Sequence, residues 1–288
     1  MRVRVWILAF CLLFGAFTVA EAKGASTGSA PAPSSSEPIE VTADESLEWY
    51  QDKNIYVARG NAKATNGDLT VTADLLTAHK REKPKKGQGK QQTKPAGDID
   101  RLTAEGNVVI LKSSSRITGD RAIDDIDKQV VVVTGNNLKY ENNNQVVTAH
   151  ESLEYWEATK IAVARGRAVA IKDNRHIQGD VLTAEFRNQP NGKDQLYKMT
   201  AVGNVTVITK NDIVRGDKGV YDAARDIAII TGHVRITRPD GTLLTGDVGE
   251  SDFVSNQSRL LNQGSGRVRA LLPSKTSSKT AKPRKGTP

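Results

Sequence analysis

The chain has 288 residues, with 41 Lys and Arg against 33 Asp and Glu, a formal charge of +8, and a single cysteine, Cys11. One cysteine excludes an internal disulfide, a thiolate metal site and, beyond residue 22, a cysteine nucleophile. The charge suggests nucleic acid, but its distribution argues against that partner: Lys80–Gly97 holds seven basic residues, Pro273–Pro288 holds five, and without these and the first 22 residues 27 basic residues stand against 31 acidic ones.

In chain order, residues 1–22 carry Arg2 and Arg4, an apolar run over Val5–Ala20, and the A-x-A pattern Ala20-Glu21-Ala22. This predicts a secretory signal peptide cleaved before Lys23, with an uncleaved anchor as the alternative. Acylation of Cys11 is disfavoured because Phe10 stands where a small residue should precede it. Residues 23–38 are rich in Ser, Pro and Gly and read as a linker, and the folded domain is expected over 39–272.

At the start of that domain stands VTAD (41–44), followed by Trp49 and Tyr50 and then Gly60 in ARGNAKA. VTAD returns at 71–74, and the Lys-rich stretch 80–97 reads as an insert. The pattern aliphatic, any, Ala or Gly, Asp continues as ITGD (117–120), VTAH (147–150), IQGD (177–180), VRGD (214–217) and LTGD (244–247). Residues 273–288 form a polar basic tail, expected to be disordered. Insert and tail read as solvated segments or as attractors for an anionic surface.

The seventh-copy register is regular: the last positions are 44, 74, 120, 150, 180, 217 and 247, so four of the six steps equal 30 residues. The two longer steps contain the Lys-rich insert and the turn-rich Arg187–Asp194. A second marker, Gly60, Gly106, Gly135, Gly166, Gly203 and Gly232, falls 14 or 15 residues before the next Asp or His. Residues 41–60 and 147–166 also match at 12 of 20 positions. A fixed period of this size marks a repeat architecture.

Around the glycines apolar residues alternate with polar ones, as in Val205, Thr206, Val207 and Val234, Arg235, Ile236, which is the period of a strand. Turn chemistry at Asn142–Asn144, Lys210–Asp212, Asp222–Asp226 and Arg238–Gly241 ends each strand after about nine residues. The expected fold is all-β, a repetitive antiparallel sheet of 14–16 strands, creased at a Gly or Ala near the middle of each. The aliphatic residue three before each Asp takes the opposite pleat face from it. That places aliphatics inside a long trough and the Asp column outside.

No catalytic constellation accompanies the pattern. The repeated acids read as local backbone ligands at kinks, and His79, His150, His176 and His233 lack metal-ligand spacing. No phosphate loop, nucleophile elbow or zinc motif occurs. Trp49, Tyr50, Tyr155 and Trp156 occupy matched places in the duplication and read as sheet packing before ligand platform. No cofactor and no metal is expected.

Seven GNV…GD-like units in phase, in a chain without cysteine beyond its leader, resemble the OstA-like (LptA) family over roughly residues 39–271. The resemblance implies a β-jellyroll open at both ends whose interior holds the lipid A acyl chains of lipopolysaccharide. It also implies a periplasmic place between the two membranes. Terminal strands would pair with an LptC-like inner-membrane protein, an LptD-like outer-membrane protein, or a second copy head to tail. The interior positions expected to carry lipid are Val108, Ile110, Ile117, Ile177, Val205, Val207, Val214, Val234, Ile236 and Leu244. Two readings stay open beside it, a structural or adhesin β-repeat protein and a polysaccharide-acting β-solenoid enzyme.

Overall fold

A computed structural model describes residues 39–81, 99–173, 175–189, 194–255, 257–264 and 266–273. The proposed leader, linker and tail beyond Pro273, and most of the insert, lie outside them. Among the described residues every regular element is an antiparallel strand. They are β1 (Glu40–Thr42), β2 (Ser46–Tyr50), β3 (Ile55–Asn66), β4 (Leu69–Lys80), β5 (Ile99–Lys112), β6 (Ser115–Asp125), β7 (Val130–Thr134), β8 (Leu138–Asn142) and β9 (Gln145–Ala149). The second half continues with β10 (Ser152–Trp156), β11 (Ile161–Lys172), β12 (Arg175–Asn188), β13 (Asp194–Ile208), β14 (Ile213–Asp222), β15 (Ile227–Thr237), β16 (Leu243–Asp252), β17 (Gln257–Leu261) and β18 (Arg269–Leu271).

All eighteen belong to one sheet. Four couples of short strands each lie along a single long neighbour: β1 and β2 on β3, β7 and β8 on β6, β9 and β10 on β11, and β17 and β18 on β16. Each couple is therefore one folded strand interrupted at its bend. Together with the ten unbroken strands they make fourteen folded strands. Those ten run 10 to 15 residues, longer than the nine expected, because ladder pairing extends on both sides of the crease. Each folded strand pairs with its sequence neighbours, the near-one-dimensional stacking of a repeat protein.

The bend has a stereochemical cause. Gly106 has φ of 76° and the next residue, Asn107, has φ of 48°, and the pair interrupts the β5–β6 register between Glu105 and Val108. The same double left-handed step recurs at Gly203-Asn204 and Gly232-His233. It is a β-bulge, and bulges bend and twist the strand that carries them. Glycine is required for a second reason, since a Cβ on Gly106 would stand 2.1 Å from Asp74 Oδ2.

The Asp column thereby gains its role. Asn107 Nδ2 donates to Asp74 at 3.0 Å, Asn61 Nδ2 to Asp44 at 2.8 Å, and Asn204 Nδ2 to Asp180 at 3.0 Å, each across neighbouring strands on the outer face. His233 Nδ1 lies 2.8 Å from Asp217 in the same arrangement. The acids clasp the bulge of the next strand, mostly through side-chain amides. The backbone bonds expected from sequence occur at Asp120, which accepts from Asn136 N, and Asp247, which accepts from Gln263 N.

The Ala or Gly before each Asp faces inward at the crease. A Cβ on Gly216 would meet Ile230 at 2.4 Å and one on Gly119 would meet Val133 at 2.6 Å. Small residues there let the two arms of the folded sheet approach. Lys80 and Arg81, read from sequence as part of the insert, lie with the fold: Lys80 ends β4, and Arg81 forms a two-pronged ion pair with Asp127 at 2.6 Å.

Candidate functional site

Folding every strand along one line gives the sheet two facing walls. On the first wall a single ladder of Cα partners crosses the whole molecule. It runs from Val41 through Ala64, Val71, Ile110, Ile117, Tyr140 and Val147. It then continues through Ala170, Ile177, Val207, Val214, Ile236 and Leu244 to Ala270. No member is charged. The facing wall has its own ladder, from Leu47 through Ala58, Leu76, Ala104, Ala122, Val133 and Leu153. Its second half passes Ala164, Leu182, Ala201, Gly219, Ile230 and Gly249 to Leu260.

The ten residues expected inside all lie on the first wall. Val108, Val205 and Val234 are 1% exposed and fill the crease, Ile110 and Ile117 are buried, and Ile177, Val207, Val214, Ile236 and Leu244 are half-buried further out. The second wall was missed by the sequence reading. Its signal was present, since the residue two before each crease glycine faces inward: Ala58, Ala104, Val133, Ala164, Ala201 and Ile230.

The walls do not enclose a uniform channel. A cavity of about 420 Å³ lies at the β1/β2 end, between Val41, Val71 and Ile110 on one wall and Leu76, Leu102 and Ala122 on the other. A second, of about 590 Å³, lies at the β16/β17 end between Ile177, Val207 and Ile236 on one wall and Ala201, Ile230 and Leu260 on the other. Both fall in the volume range of small-molecule sites. Between them the interior is solid, with Tyr140 fully buried and Leu138 and Leu153 2% exposed. Val108, Ile117 and Val234 line neither cavity and serve as packing.

Two acids, Glu48 and Asp124, stand among the residues lining the first cavity. Asp124 lies between Leu102 and Val131 in ladder register on the inward face, and burial, then the adjacent Asp125, pushes its carboxyl up to about 6. The second cavity carries more polar groups at its rim, including Arg175, Lys210, Arg238 and Arg259. Arg238 pairs with Asp212 at 3.2 Å, and Arg175 lies 5.1 Å from the centre of the Phe253 ring.

The matched aromatics divide by face. Outside, Tyr50 donates to Glu48 and Trp156 Nε1 donates to Glu154 at 3.1 Å, each acid also receiving a serine and an arginine: Ser46 and Arg59, Ser152 and Arg165. Inside, Tyr155 is 7% exposed, whereas its counterpart Trp49 is 55% exposed because, among the described residues, β2 pairs with β3 alone. Trp49 stacks on Tyr56 at 5.6 Å, and Lys80 Nζ lies 4.7 Å from the centre of the Tyr56 ring. Among the described residues no three His, Cys, Asp or Glu side chains converge as a metal site.

The family described as LptA/(LptD N-terminal domain) LPS transport protein matches this chain twice, over residues 40–151 and 147–248. The chain belongs to this family. It is a lipopolysaccharide-transport β protein and not an enzyme. The crystal structure of LptH from Pseudomonas aeruginosa, titled the LptA homologous periplasmic component of the conserved lipopolysaccharide transport device, aligns at 15% identity with a TM-score of 0.38, over 48% of this chain and 96% of its own. Curated proteins give no significant match. The first cavity lies almost wholly within the first family match, and the second begins within the second match and runs past its end at residue 248. All residues around the first cavity fall within 39–131, and those around the second within 175–260.

Proposed function

We propose that this chain is a periplasmic, LptA-like bridge that shields the lipid A acyl chains of lipopolysaccharide between its two walls and passes the molecule from the inner to the outer membrane. The supporting observation is the pair of uncharged ladders running from one end of the sheet to the other, with an open apolar cavity at each end. An acyl chain crossing water needs its surface covered, a gain of about 25 cal/mol per Å² of apolar area buried.

Both ends of the sheet support the bridging role. Among the described residues β1 and β2 pair with β3 alone, and β17 and β18 with β16 alone, so each end of the described sheet is an edge. Such edges accept strands from other chains. They carry exposed apolar residues, among them Leu47 at 63% and Leu271 at 46%. In this reading LptC-like and LptD-like proteins, or a second copy head to tail, add to these edges. The leader delivers the chain to the periplasm, with mature protein starting at Lys23.

The test is a photo-crosslinking residue placed singly at Val207 or Ile236, inward, and at Thr206 or Arg235, outward, in cells exporting lipopolysaccharide. Capture at the inward pair alone is expected. Equal capture on both faces, or none, removes the carrier reading.

A further inference from the structure

We propose that the outward face of the first wall, at the β13–β18 end of the sheet, is a docking surface for an anionic phospholipid bilayer, with Arg215, Arg235 and Arg269 as its cations. This surface lies outside the trough, and its role does not depend on what the trough carries.

Thr206, Arg215, Arg235, Thr245 and Arg269 are Cα partners in turn across β13, β14, β15, β16 and β18. Each stands one residue from an inward member of the first ladder, so all five point outward. Arg215 and Arg235 face each other directly, an arrangement of like charges that destabilises a sheet. The three arginines are exposed, and among the described residues none of them has a hydrogen-bond or ion-pair partner. Elsewhere outward arginines are matched across strands, Arg121 to Glu105 at 3.1 Å and Arg165 to Glu154 at 2.8 Å. The acids nearest the lane are already engaged. Asp217 holds His233 Nδ1 at 2.8 Å, Asp247 accepts from Gln263 N at 3.0 Å, and Asp212 pairs with Arg238 at 3.2 Å. The lane therefore presents positive charge that the fold itself does not use.

Two residues further from the crease on the same strands runs a mostly apolar row, Ile208, Ile213, Thr237, Leu243 and Leu271. Ile208 is 39% exposed and Leu271 46%. Arginines beside an apolar row match the boundary layer of a bilayer, where headgroup phosphates take the cations and acyl carbons meet the apolar side chains. None of the lane residues lines either cavity, so this is an exposed face suited to a planar surface and not a cleft for an acidic peptide. Past β18 the sequence continues as Pro273–Pro288 with five basic residues and no acid, so the segment leaving this end has the same sign of charge. A strand added beside β17 and β18 would extend the sheet edgewise and leave this face open.

Beyond Cys11 the chain has no cysteine, so in the chain starting at Lys23 Thr245→Cys places a single environment-sensitive nitrobenzoxadiazole label on the lane. Thr200→Cys, next to the inward Ala201, places it on the outer side of the opposite wall. Phosphatidylglycerol vesicles should brighten and blue-shift the Thr245 label, phosphatidylcholine vesicles should not, and the Thr200 label should respond to neither. In vesicle flotation, replacing all three arginines by glutamine should weaken binding to phosphatidylglycerol on the order of a hundredfold, at about fivefold per cation. The charge-matched variant with Arg121, Arg165 and Arg225 replaced by glutamine should lose less than about fivefold, and about 0.5 M salt should release the parent chain. Equal responses at the two labels, equal binding to the two lipids, or a triple variant that binds like the parent, as it would if the tail alone held the vesicle, overturns the docking surface. Binding of soluble polyglutamate at the Thr245 label with no response to vesicles also overturns it, assigning the lane to an acidic protein. The labelled chain keeps all three arginines, so it gives the answer even if the triple variant fails to fold.

Discussion

Gly203→Ala tests the crease in its simplest form. Gly203 has φ of 75°, and an added Cβ would stand 2.2 Å from Asp180 Oδ2, which accepts from Asn204 Nδ2 at 3.0 Å. Placing alanine in the left-handed region costs about 1–2 kcal/mol. Driving Asp180 off Asn204 forfeits a partly exposed hydrogen bond of about 0.5–1 kcal/mol. The two effects act together, so the expected loss is roughly 2–3 kcal/mol, read as a lower urea midpoint at constant slope by circular dichroism. Asp180→Ala alone forfeits only the bond. In the double variant the clash is gone while the strained φ remains, so the double loss should fall below the sum of the single losses by about 0.5–1 kcal/mol. A Gly203→Ala protein within about 0.5 kcal/mol of the parent, or a strictly additive cycle, would refute the account of the crease.

Asp124→Asn should change how stability depends on pH. The folded-state carboxyl is raised to about 6 from 3.8, so the folded chain binds this proton more tightly than the unfolded one, and stability falls as pH rises from about 4 through about 6. Asp125 is shifted down and acts in the opposite sense, so the readout is the difference between variant and parent. The variant should gain up to about 2–3 kcal/mol at pH 7.5 relative to pH 4, and a pH-independent difference would disprove it. Leu153→Ala, in the solid middle, should cost about 2–5 kcal/mol; Leu47→Ala, 63% exposed on β2, should cost less than about 1 kcal/mol. Equal losses in thermal melts would contradict the packed centre. Lys80 pairs with Ile99 in register, so β4 and β5 adjoin at both sides of the insert. Replacing residues 82–98 by a short Gly-containing turn should leave the melting temperature within a few degrees, whereas a drop above about 8 °C would show that the segment is packed.

Much of the fold is legible in the chain because its determinants are local. The 30-residue period, the strand parity around Val205 and Val234, and the need for glycine at 106, 203 and 232 all follow from residues within one strand and its hairpin partner. Strand count followed from the same markers, and fourteen folded strands resulted. Strand length did not: the ten unbroken strands run 10 to 15 residues against about nine, since pairing continues on both sides of the bulge up to the turns.

What parity alone determined is which side chains face inward; what only the tertiary structure decided is whether an inward side chain meets another atom or empty space. Val108 and Ile110 share a face and a chemistry, yet Val108 fills the crease and Ile110 lines a cavity. The difference depends on the opposite wall, brought near by the fold and by glycines such as Gly119 and Gly216. Trp49 and Tyr155 occupy the same place in the duplication, but one is exposed and the other buried. A strand at the end of the stack has a neighbour on one side only, and that fact belongs to the assembled sheet.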